Sequence, residues 1–489
     1  MKQFHNIING KRIVSRSGET IVSVNPATEQ AITRFPKGTA QDVRAAIDAA
    51  EKAYETWKDV PPPKRGQILL RAAQLLRKDK LAMGRLVTME MGKVLAEGLG
   101  DVQESIDMLE YIAGEGRRLF GHTTTSELPD KMAMTVRAPV GVMGLITPWN
   151  FPTAIPIWKL APCLVCGNTA VFKPASDTPL CGLRMVELLE KAGLPSGVVN
   201  FVTGSGSTVG AEIVKNKRIS GISFTGSREV GDFVIRNAGV KKVGLELGGK
   251  NGIIVMDDAN MDLAVDGIIF GAYGTTGQRC TATSRVIVHR KVRQRLERML
   301  VARIKKLRLG NGLRPSTDVG PLINQAAVDK VHEYTHIGQE DGAKLVIGGS
   351  KAKVNGKGYF YKPTLFTNVT PDMRIAQEEM FGPTLSMIEA KNLDLAVDAM
   401  NSVTYGLSAA IYTNDVRTAM LAVRDIEAGL VYVNSSTIGS EVHLPFGGVK
   451  QTGNGAREGG IEGINEFSET KTVYIDYSGR LQKAQIDTD

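Results

Sequence analysis

Four apolar runs, Val140 to Ile146, Thr169 to Phe172, Val198 to Val202 and Ile219 to Phe224, each end in a turn and lead into a stretch with helical spacing. A strand that is apolar along its whole length is buried on both faces. The repeated order strand, turn, helix therefore predicts an α/β fold with a parallel sheet covered by helices on both sides. The pattern restarts after residue 250 with Gly-Ile-Ile-Val-Met and continues through Arg285 to His289, Ala343 to Ile347 and Leu407 to Tyr412. A second α/β domain is expected, in keeping with a length of 489 residues, which exceeds what one core organises. Ahead of the sheet, residues 40–58 and 62–94 read as helices with Pro61 to Pro63 between them. The tail from Lys471, Thr-Val-Tyr-Ile-Asp-Tyr, has strand character and is expected to pair with another segment or another subunit.

Charge and cysteine usage exclude several classes. The net charge of +9 comes from Lys and Arg spread among nearly as many acids, which fits an anionic small ligand or simple solubility better than a nucleic acid. The N-terminal stretch lacks the apolar core and cleavage site of a signal peptide, and no apolar run is long enough for a bilayer; a cytoplasmic location is expected. Four cysteines in so long a chain make no disulfide framework. Cys163 and Cys166 form a Cys-x-x-Cys, but they lie in an apolar run with no second pair to complete a zinc site, so they and Cys181 read as buried thiols.

Two motifs carry chemistry by themselves. The loop Thr-Gly-Ser-Gly-Ser-Thr-Val-Gly at 203–210 follows a strand and opens a helix, where glycines let backbone approach a pyrophosphate. A second strand and turn, Gly-Ile-Ser-Phe-Thr-Gly-Ser-Arg at 221–228, again ends in small donors before a helix, and the two together favour a nucleotide site. Against this stands His332-Glu333-Tyr334-Thr335-His336, the His-Glu-x-x-His pattern of zinc peptidases. Its extended form fails, because Gln339 and Gly342 hold the places of its glycine and third histidine. The expectation is no metal.

A lone cysteine, Cys280, sits in Tyr-Gly-Thr-Thr-Gly-Gln-Arg-Cys-Thr-Ala-Thr-Ser-Arg, with no acid nearby in sequence, a setting that suits a reactive thiol. Around it fall Thr-Pro-Trp-Asn-Phe-Pro at 147–152, Leu-Glu-Leu-Gly-Gly-Lys-Asn at 245–251, Glu-Glu-Met-Phe-Gly-Pro at 378–383 and Pro-Phe-Gly-Gly-Val-Lys at 445–450. In order and spacing, from about Phe4 to the tail, this set resembles the aldehyde dehydrogenase superfamily.

The resemblance implies a Rossmann-type dinucleotide-binding domain from residues 1–117 and 139–248, a catalytic domain at 249–451, and bridging segments at 118–138 and 468–489 that join subunits into a dimer or tetramer. It implies that Cys280 attacks an aldehyde as thiolate, that Asn150 stabilises the developing oxyanion, and that Glu246 is the base that activates water against the thioester. Glu246 also argues against the coenzyme A-acylating branch. Lys159 and Glu458 fall where the family has a proton relay, and Glu469 resembles a structural acid near the subunit interface.

For the cofactor, the resemblance assigns Glu379 and Phe381 to the nicotinamide side. Ile146, Thr147, Pro148, Trp149, Lys173, Ala175, Ser176, Gly206, Gly210, Phe224, Gly226, Ser227 and Leu247 fall along the rest of the dinucleotide. Strict NAD enzymes of the family carry a glutamate where this chain has Ser176. A carboxylate there repels a 2′-phosphate and a serine donates to it beside Lys173, so NADP is expected to be preferred over NAD, with Asp177 the residue that could reverse this.

The expected substrate wall is Phe151, Trp158, Arg279, Thr281 and Phe446. It is most similar to that of enzymes for 2-oxoglutarate semialdehyde and similar short oxo-acids. Medium aliphatic or aromatic aldehydes and, with Arg279 facing a phosphate, glyceraldehyde 3-phosphate stay open, as does a structural ion pair for Arg279. Trp158 stands where succinic semialdehyde enzymes usually place an arginine. A catalytically silent binding protein is the reading from outside enzymology.

Overall fold

The computed structural model describes residues 2–486. Its frame is two seven-stranded sheets. In the first, the strands Val142–Ile146, Thr169–Lys173, Val199–Phe201, Gly221–Thr225 and Lys242–Glu246 run parallel, and the N-terminal hairpin Asn6–Ile8 and Lys11–Ile13 adds antiparallel to the free edge of Val199–Phe201. In the second, Asn251–Val255 lies between Thr283–His289 and Ser408–Tyr412, with Thr384–Ala390, Thr364–Val369 and Leu430–Val433 also parallel and Lys344–Ile347 antiparallel at one edge. Both sheets are buried on two faces. Ile253 and Val255 enter one apolar cluster while Ile254 enters another, the period of two that a strand imposes.

The helices form where their caps and apolar spacing allow. Ala40–Trp57 begins at Thr39, whose hydroxyl accepts from the Asp42 N–H while Asp42 reaches back to the Thr39 N–H, a capping box. It lays Val43, Ala46, Ile47 and Ala50 against the first sheet. The stretch expected as one helix at 62–94 is two, Pro62–Lys78 and Lys80–Met91. The chain turns at Asp79 (φ −96°, ψ 8°), outside helical values, and Gly92 ends the second piece at φ +101°. A third helix, Leu95–Glu115, follows directly and packs on both. Among the described residues no helix is long and apolar enough to cross a membrane.

The tail strand Ser468–Asp476 finds its partner within the chain. It pairs antiparallel with Lys131–Pro139, from Ser468 opposite Pro139 to Asp476 opposite Lys131, and Thr123–Thr125 completes the sheet. Met132, Val136, Tyr474 and Ile475 leave apolar surface exposed on it. Residues 487–489 of the expected bridging segment lie outside the described residues.

The topology fixes where chemistry gathers. Four adjacent parallel strands of the first sheet end at Ile146, Lys173, Thr225 and Glu246, the carboxyl ends where open α/β sheets take ligands. Five residues beyond Glu246 the second sheet begins at Asn251, and its neighbour strand starts at Thr283, three residues after Cys280.

Candidate active site

Cys280 sits where two cavities meet. A cavity of about 710 Å³ is lined by Phe151, Trp158, Arg279, Thr281 and Phe446 together with Glu104, Ile155, Glu246 and Glu458. A cleft of about 870 Å³ is lined by Pro148, Trp149, Asn150, Gly226, Ser227, Leu247, Lys330, Glu379 and Phe381. Cys280, Ile155, Thr225 and Leu247 belong to both. A group entering from either side reaches the same thiol.

The loop that presents Cys280 is held by backbone geometry and two buried amides. Thr275 (φ 51°) and Thr276 (φ 59°) are left-handed, and Gly277 (φ +68°) is pressed so close that a Cβ would stand 2.1 Å from the Gly382 carbonyl oxygen. Fully buried Gln278 accepts from the Ile323 N–H at 2.9 Å and donates to the Pro321 carbonyl at 3.3 Å. Asn251 donates to the carbonyls of Cys280 (2.7 Å) and Ala282 (2.9 Å) and accepts from the Ser408 N–H. Both amides lie inside motifs visible in the sequence, but their holding role depends on partners far along the chain, and sequence reasoning missed it.

The expectation of a thiol without acids nearby fails in the fold. Burial, then Glu379 and Glu246, push the Cys280 thiol up to about 12. A thiol raised in this way attacks only after it gives up its proton. Asn150, buried, donates from Nδ2 to the Gln278 carbonyl at 3.2 Å, and its Oδ1 is unpartnered. That bond fixes its amide beside the Cys280 loop.

Glu246 is buried with both carboxylate oxygens unpartnered, and burial together with Glu458 and Glu466 raises its carboxyl well above the usual range. Lys159, fully buried, donates to Ser223 Oγ at 2.8 Å and pairs with Glu458. The expected relay pair is thus in direct contact. Glu469, on the strand Ser468–Asp476, pairs with Lys242 at 3.2 Å.

The expected cofactor residues divide into two groups. Pro148, Trp149, Gly226, Ser227, Leu247, Glu379 and Phe381 line the cleft; Phe381, held at φ +57°, meets Trp149 edge-on at 5.5 Å. Glu379 accepts from the Gly249 N–H at 2.9 Å, and a Cβ on Gly248 would stand 2.4 Å from its carboxylate. The others cluster beyond the cleft at the strand ends: the Thr147 N–H donates to the Lys173 carbonyl, Ser176 Oγ donates to the Gly204 carbonyl at 3.2 Å, and a Cβ on Gly210 would touch the Lys173 side chain. Gly206 has open space where its Cβ would be, and half-exposed Ala175 precedes Ser176. Phe224 and Ile146 put their side chains into the apolar core under this surface, where the Phe224 ring supports Gly226. Asp177 accepts from Asn324 at 3.1 Å and so faces the neighbouring helix. Burial draws the Lys173 ammonium down to about 8.

Arg279 lies between the cavity and an ion pair. It lines the 710 Å³ cavity, and its charge is shared with Glu97 at 3.5 Å while it donates to Thr275 Oγ1 at 2.9 Å. Glu104, on the unread helix Leu95–Glu115, was missed; burial raises its carboxyl to about 7 on the same cavity wall. Trp158 and Phe446 meet edge-on at 5.6 Å. His332 and His336 place their Nε2 atoms 3.3 Å apart, but no group of three or more His, Cys, Asp or Glu able to hold an ion exists among the described residues. Cys163, Cys166 and Cys181 are buried free thiols.

The pattern that defines the aldehyde dehydrogenase family matches residues 13–473. An alpha-ketoglutaric semialdehyde dehydrogenase of Bacillus subtilis is 40% identical over 96% of this chain and 97% of its own length. A 2,5-dioxopentanoate dehydrogenase of Saccharolobus solfataricus is 42% identical over 97% and 99%. The crystal structure of betaine aldehyde dehydrogenase from Staphylococcus aureus with NAD+ superposes with a TM-score of 0.95 at 34% identity, covering 98% of this chain and 95% of that one. The chain belongs to the aldehyde dehydrogenase family. It is accordingly an NAD(P)-dependent oxidoreductase acting on aldehydes.

Proposed function

We propose that this enzyme oxidises a short oxo-acid aldehyde of the 2-oxoglutarate semialdehyde type to the free acid, using NADP+ in preference to NAD+. The observation that carries it is Cys280 at the junction of the cleft and the aromatic cavity, with Glu246 on the cavity side and Glu379 and Phe381 on the cleft side. The cleft fits a dinucleotide: buried Asn150 Oδ1 on its wall has no partner, and glycines at 226 and 248 leave no room for side chains. Pro148, Trp149, Ser227, Glu379 and Phe381 would hold it, with Lys173, Ala175, Ser176, Gly206 and Gly210 at the adenosine end. Its chemistry when bound is to accept hydride.

The chain's own residues do the rest. Cys280 gives up its proton to solvent water in the open cavity, its thiolate bonds to the aldehyde carbon as the C=O π pair moves to oxygen, and Asn150 Nδ2 with the Cys280 N–H supports the oxygen that becomes negative. After oxidation to the thioester, Glu246 takes a proton from water, hydroxide adds to the acyl carbon, and the thiolate leaves. Glu246 in this position supports hydrolysis over transfer to coenzyme A.

Two relatives named for this semialdehyde, at 40% and 42% identity, support the substrate class, and Arg279 on the cavity wall supplies a cation for its carboxylate. Glu104 opposes that cation once ionised. The KM for the anionic semialdehyde should therefore rise by about threefold, the scale of a partly screened charge contact, as pH climbs through about 7. Glu104→Gln should flatten that rise, and a neutral aldehyde such as benzaldehyde should show none.

For the cofactor, Ser176 is half-exposed with its hydroxyl held only by a backbone carbonyl, and Asp177 is engaged by Asn324. Both contacts support a site in which a 2′-phosphate is not repelled. Ser176→Glu should cut catalytic efficiency with NADP+ by about tenfold or more, the equivalent of about 1.4 kcal/mol, while sparing NAD+. The deciding experiment is absorbance of reduced nicotinamide with each cofactor over acetaldehyde, benzaldehyde, 2-oxoglutarate semialdehyde and glyceraldehyde 3-phosphate. NAD+ superiority overturns the cofactor reading, and no reduction with any aldehyde points to a silent descendant. The exposed apolar residues on the sheet Lys131–Pro139 and Ser468–Asp476 support 118–138 and 468–489 as the segments that join subunits, between the two expected domains.

A further inference from the structure

The His-Glu-x-x-His stretch that aldehyde oxidation leaves unused lies on the helix Gln325–Glu340, which begins at Asn324, whose side chain accepts from the Ala327 N–H. Helical spacing puts Ala327, Lys330 and Tyr334 on one face and His332 and His336 on the opposite one. The first face serves the dinucleotide: Ala327 and Lys330 line the cleft, and Tyr334 donates to Glu378, the neighbour of Glu379. The second face is turned away from it. His332 and His336 line neither the cleft nor the cavity, and Glu333, which a peptidase would need inside a substrate groove, is exposed and lines neither as well.

The two imidazoles stand on successive turns with their Nε2 atoms 3.3 Å apart, ring centroids 4.6 Å apart and planes at 71°. Two zinc–nitrogen bonds of about 2.0–2.1 Å at a tetrahedral angle set their nitrogens about 3.3–3.4 Å apart. The observed separation is therefore already that of two ligands on one ion. His336 is exposed, so its ring can tilt to aim its lone pair at such an ion.

The tautomer of His332 is set from behind. Thr335 Oγ1 donates to the Val331 carbonyl at 3.0 Å, so at its 2.7 Å contact with Tyr361 it accepts and the Tyr361 hydroxyl donates. That leaves the Tyr361 oxygen to accept at its 3.2 Å contact with His332 Nδ1. The proton thus sits on Nδ1, and Nε2 turns its lone pair toward His336. A ring held through one nitrogen so that the other can bind is how ligating histidines are prepared. Asp329, one turn earlier, is engaged elsewhere, accepting from Lys351 and Gln325.

We propose that His332 and His336 bind one late divalent transition-metal ion, zinc by the match of geometry, through their two Nε2 atoms, with water in its other positions. The site links two turns of the helix and is no catalytic centre. Imidazole nitrogens without carboxylates suit zinc, nickel and copper and leave magnesium and calcium unbound. The exchange balances without a redox step: two waters leave the ion, two nitrogen–metal bonds form, and His336 carries its proton on Nδ1 in the bound form. Neither the aldehyde nor the nicotinamide takes part.

The test is calorimetric titration of zinc chloride into the full chain carrying Cys280→Ala, so that the active-site thiol does not compete, and into the same chain with His336→Gln added. The expected result is one ion per chain in the first and an affinity weaker by about tenfold or more in the second, with magnesium chloride giving no binding in either. Tyr361→Phe keeps both imidazoles and removes the bond on Nδ1; it should weaken zinc by about tenfold, the usual cost of losing such support. Zinc should also raise the melting temperature of the first protein and not that of the His336→Gln protein, because an ion bound only by the folded helix stabilises it by mass action. Equal zinc affinity with and without His336, or magnesium binding as well as zinc, overturns the site. In the chain that keeps Cys280, His336→Gln should retain the wild-type kcat and the wild-type KM for NADP+. A loss there would place His336 in cofactor handling and overturn the assignment of a purely structural ion.

Discussion

Cys280→Ala should abolish steady reduction of nicotinamide, by at least about a thousandfold, while leaving dinucleotide binding near that of wild type. The first half follows from Cys280 being the thiol common to the cavity and the cleft. The second follows from how the loop is held. Asn251 bonds the Cys280 carbonyl, Gln278 bonds Pro321 and Ile323, and the left-handed turn at Thr275 to Gly277 precedes them; none of these contacts uses the Cys280 side chain. Alanine therefore removes the sulfur without releasing the loop, and no burst of product should appear. Fluorescence titration with NADP+ and a stopped-flow burst measurement separate the two halves. Normal turnover by the alanine variant would remove Cys280 from the chemistry.

The strand-turn-helix rhythm was legible because each buried parallel strand writes an unbroken apolar run. The strands Thr364–Val369 and Thr384–Ala390 escaped for the opposite reason: Thr367 and Ser386 are fully buried within them and break that run. Helix Leu95–Glu115 escaped because the preceding helical pattern ran into it, and with it went Glu97 and Glu104, which set the charge around Arg279.

In the site, the motif residues were legible one by one, and what they do to each other was not. Nothing local to Gly-Gln-Arg-Cys announces that Glu379 and Glu246 will stand near the thiol and raise it. Asn251 was in a quoted motif, yet its function lies in carbonyls some thirty residues on. Glu466 carried no signal, since Gly244, the glycine that leaves room for its carboxyl, belongs to a strand more than two hundred residues earlier. Local pattern reports burial and turn chemistry; electrostatic coupling requires the fold.

Glu246→Gln should separate the two halves of the reaction. The variant should deliver a burst of about one reduced nicotinamide per active site and then turn over more slowly by about 10²–10⁴-fold, the usual share of a positioned base. Hydride transfer survives because Glu246 is not the group that bonds the aldehyde, and the amide keeps the volume of the carboxyl it replaces. Hydrolysis fails because an amide accepts no proton. The pH dependence carries the same signature. Burial and Glu458 hold the wild-type carboxyl well above the ordinary range, and a base must be ionised to act. Wild-type kcat should therefore climb with pH through that raised value, and the glutamine variant should lose the climb. Hydroxylamine, which attacks thioesters without a base, should restore turnover to the glutamine variant and do nothing for Cys280→Ala. A variant with no burst would move Glu246 to an earlier step, as the base that takes the thiol's proton. Its closeness to a thiol raised to about 12 makes that outcome a chemically distinct alternative, which the burst measurement resolves.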